Sequence, residues 1–281
     1  MDLKQLKEIW KQQGFSPRKS LGQNFLIDNN VKDKIFRSLA LSTDSTVIEI
    51  GPGFGVMSFD LADRCGRLIA IDKDRKICEI MEDRFKSRDN ITLINADVLE
   101  ADICGFAREG KPLTVYGNIP YYISTPIIEK IIECRQCIDK AFIVMQDELA
   151  NRIVSAPGSK DYGSLSCFVQ YYTKAEKLFR IKRNCFYPSP KVDSCILALT
   201  ILPEPSVTVK DERLMFKVIR KAFSQRRKKA INSLSSGEFL PMDREGWQEA
   251  FTACGIDLSS RAEVISLGSY ARLTDLIEKR L

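Results

Sequence analysis

The chain of 281 residues contains no histidine. That excludes a Ser-His-Asp triad, a histidine-held metal and an imidazole base. Whatever reaction it runs must need no strong general base. No apolar run is long enough to cross a bilayer, and the first residues form no signal h-region. No Gly-Lys-Ser or Gly-Lys-Thr occurs, so a phosphate-binding P-loop is excluded. No Pro-Cys dipeptide occurs either, which removes the nucleophile of cytosine C5 chemistry. The nine cysteines are scattered and odd in number, and only Cys134 and Cys137 share a CxxC spacing. Without further ligands nearby these two read as thiols on a helix face, in a reduced, cytoplasmic protein that holds no metal.

What is present is an ordinary globular composition, 44% hydrophobic and 28% charged, long enough for one large and one small domain. The stretch that organises it is Val47-Ile48-Glu49-Ile50-Gly51-Pro52-Gly53-Phe54-Gly55. A β-branched run that closes on alternate glycines reads as a buried parallel strand entering a tight turn, with a helix from near Val56. The glycines let a ligand press on bare backbone. Their spacing is not the Gly-x-Gly-x-x-Gly of dinucleotide folds, and a carboxylate at Glu49 suits a cationic ligand better than a pyrophosphate. S-adenosylmethionine fits; a plain strand turn or a nucleotide fold stays open. Two more short apolar strands end in acids, at Asp72 and Asp97. Asp72 is placed to accept ribose hydroxyls and Asp97 an adenine amino hydrogen, although either could simply cap the next helix.

A fourth strand ends in Asn118-Ile119-Pro120-Tyr121. An exocyclic base amine is a poor nucleophile because its lone pair is delocalised into the ring. Two acceptors, the Asn118 side-chain oxygen and the Ile119 carbonyl, would pull that nitrogen toward tetrahedral geometry. Tyr121 would supply a flat face. The alternative is an Asn-Pro turn followed by core tyrosines.

The remainder falls into place around these strands. Residues 1–13 form an amphipathic helix. The loop from Arg18 to Ile27 is either a solvated lead-in or a lid, with Arg18 and Lys19 for phosphates and Asn24 and Leu26 over the cofactor. A helix spans about Asn29 to Ala40, another about Pro126 to Cys134, and a strand Lys140 to Gln146. A polar loop then precedes a strand over Cys167–Tyr172. Phe186, ahead of a proline-fixed loop, is either core or a base-stacking ring, and a β-rich run to Leu202 closes the sheet. Pro203 to Ser206 marks the boundary between a catalytic domain (1–203) and a helical one (204–281). Lys217 to Lys229 carries seven basic residues and no acid, interleaved with Phe216, just ahead of it, Phe223 and Gln225. Lys221, Arg226, Arg227, Lys228 and Lys229 read as a basic helix that contacts phosphates, or else as a solvated face.

Together these segments resemble the KsgA-type ribosomal RNA adenine dimethyltransferases. The resemblance rests on Leu21-Gly22-Gln23-Asn24-Phe25-Leu26, Glu49 to Gly55, Asp97, Asn118 to Tyr121, Phe186 to Ser194 and Phe223 to Lys229, and runs from about Arg18 to Leu273. It implies an α/β fold: a Rossmann-like, seven-stranded S-adenosylmethionine-dependent methyltransferase sheet with a small all-α C-terminal domain. It implies transfer of two methyl groups to N6 of each of two adjacent adenosines near the 3′ end of 16S rRNA, in the pre-30S subunit, with S-adenosylhomocysteine as product. On this reading Asn118, Ile119, Pro120, Tyr121 and Phe186 are catalytic. Asn24, Leu26, Glu49, Gly51, Gly53, Gly55, Asp72, Asp97 and Asn118 hold the cofactor. Arg18, Lys19, Lys221 and Arg226 to Lys229 hold RNA. The protein would be a monomer, without membrane association. The family usually has Glu where Asp72 stands, so the ribose contact needs a shorter reach or a water. The competing readings are a macrolide-resistance-type dimethyltransferase of 23S rRNA and a non-catalytic nucleic-acid-binding factor on the same fold. The Phe223–Lys229 segment disfavours the first, and intact Asp97 and Asn118–Tyr121 the second.

Overall fold

The computed structural model describes residues 3–18, 22–108, 110–237 and 239–280. A helix α1 (Leu3–Gln12) leads through a loop to the two-residue strand β1 (Phe25–Leu26), and α2 (Asn29–Leu39) follows. Then strands and helices alternate: β2 (Thr46–Ile50), α3 (Ser58–Ala62), β3 (Arg67–Asp72), α4 (Arg75–Lys86), β4 (Ile91–Asn95), β5 (Leu113–Asn118), α5 (Ser124–Glu133) and β6 (Ile138–Gln146). After α6 (Asp147–Val154) and α7 (Ser164–Tyr172) come β7 (Thr173–Ile181), β8 (Phe186–Tyr187) and β9 (Ser194–Ile201). The rest is helical: α8 (Glu212–Ala222), α9 (Ala230–Leu234), α10 (Arg244–Ala253) and α11 (Leu267–Glu278).

Seven strands form one sheet in the order β4-β3-β2-β5-β6-β9-β7. The pairs from β4 to β6 are parallel, and β9 runs antiparallel to β6. Strand order reverses at β2, which has β3 on one side and β5 on the other. A crevice at the carboxyl ends of an open α/β sheet forms at such a point. Val47, Leu68 and Ala70 join a core cluster that includes Leu6, Trp10, Phe36, Leu61 and Phe85. The intervening Ile48, Ile69 and Ile71 are also buried, outside that cluster. Because successive strand residues point to opposite faces, both faces of these strands are covered, as continuous β-branched runs require.

The described chain divides into two compact units, one of residues 1–150 with 176–201 and one of 151–175 with 202–281. Residues 151–175 thus pack with the later helices, although they precede the Pro203–Ser206 segment. The strand expected over Cys167–Tyr172 is instead α7, and the strand falls on the next segment, Thr173–Ile181. Short apolar runs rich in aromatics fit either state. Here the Ser166 hydroxyl accepts the Gly163 N–H (2.9 Å) and starts a helical turn. Phe168 and Tyr171 then meet Phe216 of α8 edge-on, at centroid distances of 5.5 and 5.2 Å. In β7 alternate residues Lys174, Glu176, Leu178 and Arg180 are exposed, the period of a half-buried strand.

One expectation about cysteine is corrected. Cys104 and Cys137 form a disulfide, with Cα atoms 5.5 Å apart, and the other seven cysteines are free. A separation of 33 residues hides this proximity in the sequence. Cys134 lies buried beside the pair, and its carbonyl accepts from the Cys137 N–H at 3.0 Å.

Candidate active site

The carboxyl ends of β2, β3 and β5, with the turn after β4, surround one cavity. Gly51 and Gly53 line it with φ of +70° and +54°, a region that L side chains avoid. Gly53 has a second reason to be glycine. A Cβ there would stand 2.6 Å from the Phe25 ring, which packs under the turn. Gly55, expected at the cofactor, lies outside the lining. A Cβ on it would meet Phe59, Phe85 and Met81, so it serves the core.

Glu49 is 2% exposed, lines the cavity, and its Oε2 has no hydrogen-bond partner. Burial raises its carboxyl from an ordinary 4.5 to about 8, against the pull of the Ser58 hydroxyl and with the help of the Asp72 charge. Its register partner Tyr116 also lines the cavity, with a hydroxyl that has no partner. An acid and a phenol buried together, each with an unpartnered oxygen, make a place for a cationic, hydrogen-bonding ligand end.

Asp72 is held by the backbone: its Oδ2 accepts the Gly53 N–H (3.1 Å) and its Oδ1 the Asp74 N–H (2.8 Å). Burial still lifts it to about 6. Asp97 accepts from Lys73 Nζ at 2.6 Å and from the Leu99 N–H at 3.0 Å. The Lys73 hydrogen bond holds its carboxyl below the usual range. Asn118 donates its side-chain N–H to the Asn24 carbonyl at 2.9 Å. That bond commits the amide nitrogen and leaves the oxygen as the acceptor of a residue that lines the cavity. Asn24 in turn donates to the Gly22 carbonyl at 2.9 Å. So Asn24 ties the lead-in loop to Asn118, and Leu26 lines the cavity beside it.

The rest of the Asn-Ile-Pro-Tyr segment divides. Pro120 lines the cavity, while Ile119 is buried at 2%. Tyr121 is half-buried outside the lining, and its hydroxyl shares a 2.6 Å hydrogen bond with Ser194. Phe186 is 3% exposed, in β8, which pairs with β1 so that Leu26 faces Phe186. A ring so enclosed offers no face to a base in this conformation. Arg18 is exposed and lies 3.8 Å from Asp74. Its backbone N–H donates to the Gln23 side-chain oxygen, and the Gln23 amide nitrogen donates to Asp74 at 2.9 Å. Lys19 lies outside the described residues.

The expected basic helix is broken. Lys221 ends α8, whereas Arg226, Arg227, Lys228 and Lys229 lie on the turn before α9. These four are exposed, and Arg226 donates to the Lys160 carbonyl at 2.8 Å. Phe216 is buried, and Phe223 packs on Tyr162 and Tyr270, so neither ring interleaves with the charge at the surface. Sequence reasoning missed Gln23, Lys73, Asp74, Tyr116 and Tyr122, all of which line the cavity. Tyr116 could have been found, since it stands two residues before Asn118 on the same strand and therefore shares its face.

Solved structures share this architecture. A dimethyladenosine transferase from Plasmodium falciparum matches with TM-score 0.77 and 22% identity, over 91% of this chain and 98% of that one. The 23S rRNA methyltransferase ErmE matches with TM-score 0.69 and 24% identity, over 90% and 99%. The fold shared with both is a Rossmann-like mixed sheet of seven strands flanked by helices. Among curated relatives, ribosomal RNA small subunit methyltransferase A of Lachnoclostridium phytofermentans is 40% identical over 284 residues, covering 100% of this chain and 98% of its own. The protein of the same name from Bacillus mycoides is 40% identical over 276 residues, covering 96% and 94%. The chain belongs to the ribosomal RNA adenine dimethylase family, whose model matches residues 14–279. It is a methyltransferase that takes methyl groups from S-adenosylmethionine and acts on ribosomal RNA.

Proposed function

We propose that the chain dimethylates N6 of two adjacent adenosines near the 3′ end of 16S rRNA, in the small subunit as it is assembled, and that it works as a cytoplasmic monomer. The small-subunit assignment rests on the full-length likeness to the relatives named for that activity. The observation that carries the chemistry is the Asn118 amide, which lines the cavity and is anchored through its nitrogen.

The cavity suits the cofactor. The unpartnered Glu49 oxygen answers a cationic end, the glycine turn admits close approach, and Asp72 and Asp97 stand ready for ribose and adenine. When bound, S-adenosylmethionine supplies an electrophilic methyl group, so the protein needs to position and desolvate rather than provide a strong base. Asn118 and the Ile119 carbonyl accept the two hydrogens of the adenine amine and direct its lone pair. Pro120 keeps the chain extended between them and Tyr121. The Ser194 hydrogen bond sets the plane of Tyr121, whose ring borders the base. Phe186 acts through Leu26, its partner in the β1–β8 ribbon. Arg226 to Lys229, with Lys221, Arg18 and Lys19, meet phosphates, which bring affinity without sequence preference.

The test is single-turnover methyl transfer to unmethylated small subunits at saturating donor. Asn118→Ala should lower the rate constant by ~10²–10³, since it removes a preorganised contact made in the transition state. Its affinity for S-adenosylhomocysteine should stay near wild type. A near-wild-type rate would reduce the segment to a structural turn.

A further inference from the structure

Tyr122 is the sole exposed aromatic side chain among the described residues. It is 62% exposed, yet it also lines the cavity, so its ring forms part of the rim. One edge of the ring lies against the lead-in loop: a Cβ on Gly22 would stand 3.7 Å from Tyr122 Cδ1. Pro120 closes the same corner, with its Cβ 3.1 Å from that position. The ring is therefore backed by ordered chain while most of its surface faces water. A flat amphipathic ring held at a cavity mouth is well suited to stack on a base.

Which base would meet it follows from its position. The base that is methylated must reach the Asn118 oxygen inside the cavity, beyond Pro120. Tyr122 stands at the rim, so its outer face meets the nucleotide next to the one that has entered. Extruding a base from its stack strips one stacking face from its neighbour, at a cost of a few kcal/mol. An aromatic ring at the mouth restores that lost contact. Tyr121 and Phe186 are unsuited to this place: the first is tied to Ser194, and the second is 3% exposed.

We propose that Tyr122 is a stacking platform for the nucleotide that flanks the adenosine undergoing methylation. The inference rests on the functional reading above and adds a specificity-determining residue to it. A ring that stacks on any π-face favours a purine neighbour for its larger area, which matches a substrate of two adjacent adenosines.

The experiment uses the full chain, unmethylated small subunits, and Tyr122→Ala and Tyr122→Phe. Base–aromatic stacking is worth about 1–3 kcal/mol per base, so Tyr122→Ala should raise KM for the subunit about tenfold, with the loss falling on KM rather than kcat. S-adenosylhomocysteine affinity by calorimetry should move less than twofold, and Tyr122→Phe should behave like wild type. Subunits reconstituted with an abasic residue beside the target should raise the wild-type KM by a similar factor, and Tyr122→Ala should add little on that substrate. Full additivity of the two changes, an unchanged KM, or an equal loss of S-adenosylhomocysteine affinity would each overturn the proposal. Wild-type protein that leaves the subunits unmethylated would bring down the functional reading as well. Active wild type with an indifferent Tyr122→Ala would bring down only the platform.

Discussion

Glu49 carries an electrostatic consequence that falls within the accessible pH range. Its carboxyl titrates near 8 in the folded chain against an ordinary 4.5. Between those values the folded chain holds a proton that the unfolded chain has released. Stability therefore falls as pH rises through that window, by a few kcal/mol in all. Glu49→Gln stays neutral throughout, so its melting temperature should decline less between pH 5 and 8, measured by thermal unfolding without cofactor. Asp72, lifted to about 6, acts with the same sign and should leave a smaller decline in the variant. Parallel wild-type and variant profiles would show that Glu49 is not the titrating group. Glu49, Asp72, Asp97 and Asn118 were legible in the sequence because each sits at or near the end of an apolar strand, where a polar residue needs a reason. Gln23 and Asp74 were not, since they meet only when a loop folds back 51 residues away in sequence. Tyr122 was hidden by its neighbour: two adjacent tyrosines read alike until one is seen half-buried and tied to Ser194 and the other exposed.

The elements show where local pattern misleads. Glycine at 53 was read as a place for a ligand, and the fold adds that Phe25 occupies the space of its missing side chain. Gly53→Ala should therefore lower both thermal stability and S-adenosylhomocysteine affinity, by about 1–3 kcal/mol of backbone strain and overpacking. Adding Phe25→Leu should recover part of the loss. No recovery in calorimetry or thermal unfolding would mean that φ alone decides the site. The helix α7 was read as a strand because its aromatic run has no clear period. The true strand β7 was overlooked because its alternation is carried by Lys174, Glu176 and Arg180 rather than by a β-branched run. The basic run from Lys217 showed its charge plainly, but not that the helix stops at Ala222 and leaves four cations on a turn.

At the scale of the whole molecule, charge and connectivity govern. Replacing Arg226, Arg227, Lys228 and Lys229 together by Gln should weaken subunit binding and flatten its salt dependence, each lost phosphate contact lowering the log–log slope by roughly one. Cofactor affinity should not follow. A slope equal to wild type would make the quartet a solvated surface. A chain cut after residue 203 should not yield a well-packed catalytic unit, because residues 151–175 belong with the later helices. Tyr171 and Phe168 would lose Phe216, and dye binding with a broadened thermal transition should report it. A sharp transition and no dye binding would show that the segment stands without its partners. The same interleaving sets a timetable during translation. The chain emerges amino end first, so α7 leaves the ribosome before α8, the helix that covers its rings. The sheet waits as well, because β9 lies between β6 and β7 but is made after both. A nascent chain from which β9 has emerged but α8 has not has its last sheet position filled and the α7 aromatics bare, which is the kind of surface that chaperones bind.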